Sequence, residues 1–261
     1  MEEEKEMSFL DHLEELRWRL VRSAIAILVV GICLWIFKTW IMENVLLILR
    51  SPDFVTYRMM CQWFGVCMEE INFDMQSIEM SGQFSYALMI SLVGGVVVTF
   101  PYIFYQLWSF VKPGLKQNEK KVAKGIIFWV SLLFFFGILF GYFIVAPLCV
   151  QFFGGFTLSD QIHNSFTVNS LLSMIISTVF YSGLLFLLPV VSFLLTQLGI
   201  INAAFLRKYR KHSLVGVLIL AAVITPPDLI SQVIVAIPIA FLYEVGIFVA
   251  ARAEKKQQTN Q

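Results

Sequence analysis

Phe110-Val-Lys112-Pro113-Gly-Leu115-Lys116-Gln-Asn-Glu119-Lys120-Lys121 joins two long apolar runs, Phe84–Trp108 and Val122–Pro147. Each run, as helix, is long enough to cross a hydrocarbon core of about 30 Å. A short lysine-rich link between two such runs makes a membrane hairpin, and the lysines select the side on which the link stays. Glu119 is unexpected there, because acids contribute little to orientation. Held among lysines, it is a candidate for gripping a cation from elsewhere; the plain alternative is a solvated loop acid.

Outward from this hairpin lie four more apolar runs: Leu20–Phe37, Val168–Thr196, Leu214–Thr225 and Leu229–Ala250. Composition agrees, with 58% hydrophobic and 14% charged residues in 261 and a mean hydropathy of +0.78. Soluble domains carry roughly 25% charged residues. The expected fold is an all-α integral membrane protein with six transmembrane helices in one domain, 1–261. Sixteen of the nineteen basic residues flank one side of these runs. They are Lys5, Arg17, Arg19 and Arg22 before the first, the loop lysines with Lys124, Arg207 to Lys211 after the fourth, and Arg252, Lys255 and Lys256 at the end. That bias predicts that both termini are cytoplasmic. No small-residue cleavage site follows the first run, so the N-terminus is expected to be kept.

Between His212 and Thr225 the fifth run has room for roughly 20 Å of helix. It turns into the sixth through Thr225-Pro226-Pro227-Asp228. Two short spans that thin the bilayer, or a re-entrant pair, both fit. Pro189 and Pro238 fall inside runs and should bend them, whereas Pro52, Pro101, Pro113, Pro147, Pro226 and Pro227 read as ends. Bent helices of unequal length suit a concave bundle with short fifth and sixth helices. The first outer loop, 39–83, should hold an interfacial helix over Trp40–Leu49 that stops before Pro52. Its Cys61 and Cys67 face the oxidising compartment, as a disulfide or as two thiols. Cys33 and Cys149 read as small apolar fillers, and 254–261 is a polar tail.

Enzyme signatures are missing from the sequence. His12, His163 and His212 sit at membrane boundaries, and neither a zinc-protease motif nor a P-loop occurs. No catalytic residue, metal or cofactor is expected. Glu244 is the ionised residue well inside an apolar run, where an acid is by default functional; about eight residues from Arg252, it is expected to reach the cytoplasmic interface and pair there. Met7–Arg22 reads as an amphipathic helix with Ser8 and Asp11 at its start. Phe9, Leu13, Leu16 and Leu20 form an apolar stripe, while His12, Glu15 and Arg19 share the other face. Glu15 is either an ordinary i,i+4 partner of Arg19 or a second acid that joins Glu119 on one membrane face.

Three blocks carry a family resemblance. They are His12-Leu-x-Glu15-Leu-Arg17-x-Arg19-Leu20, Phe100-Pro-x-x-x-Tyr105-Gln-x-Trp108-x-Phe110-x-x-Pro113-x-Leu115-x-x-x-Glu119, and Thr225-Pro-Pro-Asp228-x-x-Ser231-Gln232 with Tyr243-Glu244-x-Gly246. In this order they resemble the TatC family, the multispanning subunit of the twin-arginine protein translocase. The resemblance implies a signal-peptide receptor and core scaffold, not an enzyme, in the bacterial cytoplasmic (inner) membrane. It would export folded proteins at the expense of the proton gradient.

Glu15 and Glu119 match the family's two acids that bind consecutive arginines. Arg17, Arg19, Phe110, Pro113, Leu115 and Lys121 belong to the same signal-peptide-binding blocks. Thr225 and Gln232 match the patch where TatA-like and TatB-like single-span partners dock, with local bonds to the Thr225–Asp228 turn as the alternative. Signal peptides of folded precursors and the lipid bilayer complete the expected partners; self-association is left open, and nucleic acid is not among them. Two positions depart from the family: Leu187 stands where many members carry Glu or Gln, two residues before Pro189, and Lys120-Lys121 stands where arginines are common. The lost polar contact is expected at Tyr181 or Ser182. The competing class, a small-solute transporter or channel, should show repeat symmetry or several polar groups at mid-membrane, and the chain shows neither.

Overall fold

Helix α1 runs unbroken over Phe9–Ile36, so the expected surface helix and the first span are one rod of about 42 Å. The computed structural model describes residues 9–65, 75–111, 123–157, 159, 166–197, 199–224 and 229–259. By its internal contacts the chain falls into two compact units, Met1–Lys38 with Ala87–Ser131 and Thr39–Tyr86 with Leu132–Gln261.

In the first unit α1 packs on α4 (Gly82–Val111). Ser23 and Ser91 are buried, and a Cβ added at Gly95 would lie 2.9 Å from the carbonyl oxygen of Ile27. Lipid supplies no hydrophobic force between helices, so close backbone approach through small residues is what holds such a pair. Pro101 does not end α4 as expected but lies inside it. Apolar helices in a membrane tolerate an interior proline where neighbours satisfy the freed backbone groups.

From Leu132 onward α5 (Ala123–Phe140) belongs to the second unit, where it passes through a widened turn, Gly141–Val145, into α6 (Ala146–Gly155). The third span therefore continues to Gly155, beyond the expected end at Pro147. Pro147 sits in the first turn of α6, where its missing N–H is least needed. It still cannot donate to the carbonyl one turn earlier, that of Phe143, and the Thr56 hydroxyl donates there instead.

Thr56 belongs to the outer loop. That segment begins with α2 (Lys38–Ile41), continues as turns through Arg50 and stops before Pro52, as expected. A further helix, α3 (Val55–Phe64), is closed by Gly65 in the left-handed region at φ 67°. The Tyr57 hydroxyl lies 3.0 Å from the carbonyl oxygen of Leu49 and 2.8 Å from that of Pro147. The Tyr142 hydroxyl donates to Val45 at 2.7 Å. The loop is thus pinned to the kink of the third span.

Burial, and secondarily Cys149, pushes the Tyr57 phenol well above its ordinary range. The fold therefore favours the neutral phenol. Its stabilising contribution is complete below the unfolded-state value near 10 and is lost as pH rises above it. Tyr57→Phe should cost about 1–3 kcal/mol by stranding the carbonyls. It should also flatten the alkaline loss of stability, measured as thermal unfolding in detergent from about pH 7 to about pH 11. An unchanged melting temperature would show that the hydroxyl does not hold the loop.

A short parallel pairing that the sequence did not suggest joins β1 (Met75–Gln76) to β2 (Phe166–Thr167). Thr167 then caps α7 (Val168–Leu185), accepting from the Ser170 N–H at 3.1 Å. The chain breaks at Phe186–Leu187 and resumes as α8 (Leu188–Gln197). This is the bend expected of Pro189, whose ring opposes the carbonyl of Leu185. The α5 segment crosses α7 at very short range. A Cβ at Gly137 would lie 2.8 Å from the Ser182 carbonyl oxygen and 2.9 Å from the Gly183 Cα.

Last come α9 (Ala203–Lys208), α10 (Arg210–Ile224) and α11 (Leu229–Thr259). Val217 and Ala221 of α10 and Val235 and Ile239 of α11 share a core with Val145, Cys149 and Leu185, while Ala203 and Leu206 of α9 pack with Ile247 and Ala250 of α11. Five helical segments among the described residues are long and apolar enough to cross a membrane. The fifth expected run lies in α10, whose 15 residues make about 22 Å of helix, short as anticipated; the sixth, also expected short, is not, because α11 continues past its apolar run for 31 residues in all.

Candidate functional site

The α1 helix carries His12, Glu15, Arg19 and Ser23 three or four residues apart, one above another on a single stripe. This stripe faces α4. Glu15 and Arg19 are 27% and 20% exposed, whereas Leu13 and Leu20 are 45% and 52% exposed. The expected leucine stripe therefore points outward and the polar stripe packs against protein. An apolar side chain costs nothing against lipid, but a polar one needs a partner, so the protein face goes to the polar residues.

The Arg19 guanidinium grips one oxygen of Glu15 with two nitrogens. Nε lies 2.9 Å from Oε1, and Nη2 also donates to it. The third nitrogen, Nη1, is 3.4 Å from Oε1 of Gln106 on α4. Gln106 is buried, and its Nε2 donates to the Tyr102 hydroxyl at 2.7 Å. One turn further on, Phe110 stacks against the His12 ring at 4.1 Å and 13°. His12 Nδ1 stays 4.0 Å from Glu15 Oε2, beyond hydrogen-bond reach. Glu15, Trp18, Arg19 and Arg22 line an open recess of about 510 Å³. The ordinary i,i+4 pair thus exists, beside a space large enough for a guest side chain.

Arg17 is exposed on the same helix. Pro113, Leu115, Glu119, Lys121, Thr225 and Cys67 lie outside the described residues. Cys61 is disulfide-bonded. Gln232 is half-buried and donates to the Leu218 carbonyl on α10 at 3.2 Å, a bond within the protein though not to the expected turn. Glu244 pairs with Arg210 at 2.6 Å and not with Arg252, which lies over the Phe248 ring at 4.3 Å. Eight residues on one helix separate Glu244 from Arg252 by about 12 Å, while Arg210 opens the neighbouring helix. Leu187 sits in the backbone break. Ser182, one of its two expected substitutes, is buried and lacks a hydrogen-bond partner among the described residues, as does Thr178 one turn earlier; Tyr181 is exposed.

Sequence reasoning assigned no role to Gln106 or Tyr102. The available signal was an amide within an apolar run, four residues from Phe110 and from Tyr102, hence on one helical face with both.

The family described as Sec-independent protein translocase protein (TatC) matches this chain over residues 11–238. A TatC of Blattabacterium from Periplaneta americana is 36% identical over 263 residues, covering 98% of this chain and 99% of the relative. TatCy of Bacillus subtilis strain 168 is 31% identical over 253 residues, covering 97% and 92%. The crystal structure of a twin arginine translocase receptor, TatC, superposes with a TM-score of 0.71 at 30% identity, over 93% of this chain and 99% of that one. A second, in DDM, gives 0.73 at 30% identity over 92% and 99%.

Proposed function

Because this chain belongs to the TatC family of Sec-independent protein translocase components, we propose that it is the receptor for signal peptides bearing two consecutive arginines. The observation that carries this is Glu15, a carboxylate with one oxygen clasped by a guanidinium and the other without a hydrogen bond among the described residues, beside an open recess. A guanidinium offers carboxylates a planar fork that lysine cannot reproduce. Glu119 supplies the second acid in this reading, from the sequence segment after Phe110 that also carries Pro113, Leu115 and Lys121. Arg17 and the loop lysines keep this face cationic, so the guest is held by local pairing and not by long-range attraction.

In this reading the site lies on the cytoplasmic side of the bacterial inner membrane, with both termini inside, and transport of folded precursors is driven by the proton gradient. Single-span TatA-like and TatB-like proteins dock at Thr225 and Gln232. Gln232 already spends one donor on Leu218, leaving its second donor and its carbonyl for a partner helix. Affinity capture of the full tagged chain from native membranes should bring down twin-arginine precursors together with single-span proteins. Capture of neither, with binding of a small solute, would transfer the chain to the transporter class.

A further inference from the structure

We propose that Arg19 is a resident occupant of the arginine site, that an incoming guanidinium must displace it, and that Gln106 receives it when it leaves. This deepens the receptor reading and rests on it. The geometry points to such an exchange. Arg19 holds Glu15 Oε1 with Nε and Nη2 together, whereas a guest arginine that forks across both oxygens needs Oε1 as well as Oε2, which has no hydrogen bond among the described residues. Its remaining nitrogen is poised 3.4 Å from Gln106 Oε1, about half an ångström longer than a well-made N–H···O bond. Gln106 is 5% exposed, and its amide nitrogen is fixed on the Tyr102 hydroxyl. Its carbonyl oxygen is therefore a stationary acceptor that α4 presents to Arg19. A small swing of the guanidinium away from Glu15 closes that bond, and the recess that Glu15 lines with Trp18, Arg19 and Arg22 has room for the guest.

The exchange has a consequence for specificity. A guest arginine that takes both oxygens of Glu15 breaks the one-oxygen pair of Arg19, so part of its gain is cancelled. Net affinity comes from what the exchange does not cancel, the second arginine included. A signal carrying a single arginine therefore binds more weakly than one carrying two.

The test is peptide binding to the full chain in detergent, using a labelled twin-arginine peptide and its counterpart with one arginine replaced by lysine. Arg19→Gln should raise affinity for the twin-arginine peptide by about 3- to 5-fold, the weight of a partly exposed pair. It should also narrow the preference over the single-arginine peptide. Arg19→Lys, which keeps the charge and loses the fork, should fall between and guards against a misfolded glutamine variant. Gln106→Leu should weaken binding in the parent chain and have no effect once Arg19 is glutamine, a dependence that general damage to the fold would not produce. Weaker or unchanged binding by both Arg19 variants, with Glu15→Gln still defective, would overturn the proposal and leave the receptor reading standing. Undiminished binding by Glu15→Gln and Glu119→Gln together would remove the receptor reading, and the proposal with it.

Discussion

Glu15→Gln, which keeps the shape of the side chain and removes its charge, lowers crosslinking of a twin-arginine peptide to the full chain by about tenfold or more. The magnitude follows from the environment. Glu15 is 27% exposed, sheltered enough for a charge-assisted bond to be worth about 1.5–3 kcal/mol, and each 1.4 kcal/mol is about a factor of ten. The same substitution also breaks the pair with Arg19. A partly exposed i,i+4 pair contributes less than about 1 kcal/mol to stability, so the melting temperature should hardly move while the crosslink is lost. Glu119→Gln is expected to give the same loss of crosslinking from the loop. If both variants crosslink at the parent level, the carboxylates do not bind the signal.

Gly137→Leu is the second large effect, and it concerns the scaffold. The first side-chain atom would meet the Ser182 carbonyl oxygen, the Gly183 Cα and the Phe186 Cβ, all between 2.8 and 2.9 Å. Two of these three are backbone and cannot rotate away, so the helices must separate. Overpacking of this kind costs about 1–3 kcal/mol, occasionally more. The expected result is a melting temperature lowered by several degrees and a smaller yield of folded protein from membranes. Gly155→Leu is the control, because nothing lies within 4 Å of a Cβ there. Equal stability of the two variants would mean that α5 and α7 are not held by this contact.

Much of this was legible in the chain. Long apolar runs fixed most of the helices, since in lipid each backbone group must be satisfied within its own segment and only length and apolarity decide. The break ahead of Pro189 and the shortness of α10 followed from residue type and count in the same way. The sequence misjudged features that depend on what lies opposite. Pro147 looked like an end because its own segment cannot show that Thr56, 87 positions before Phe143 along the chain, relieves the Phe143 carbonyl that the proline strands. Arg210 as the partner of Glu244 was not legible, because distance along a helix is visible in a sequence and the register of a neighbouring helix is not.

The order of side chains by itself determined that the chain is helical, lives in a membrane and carries Glu15 and Glu119 in two charged segments that flank its apolar runs. Tertiary structure alone decided that α1 turns its polar stripe toward α4 and its leucines outward. Periodicity defines two faces of a helix but not which one the neighbour takes. That choice is made by Gln106 and Phe110 across the contact, and it turns the Glu15–Arg19 pair toward α4.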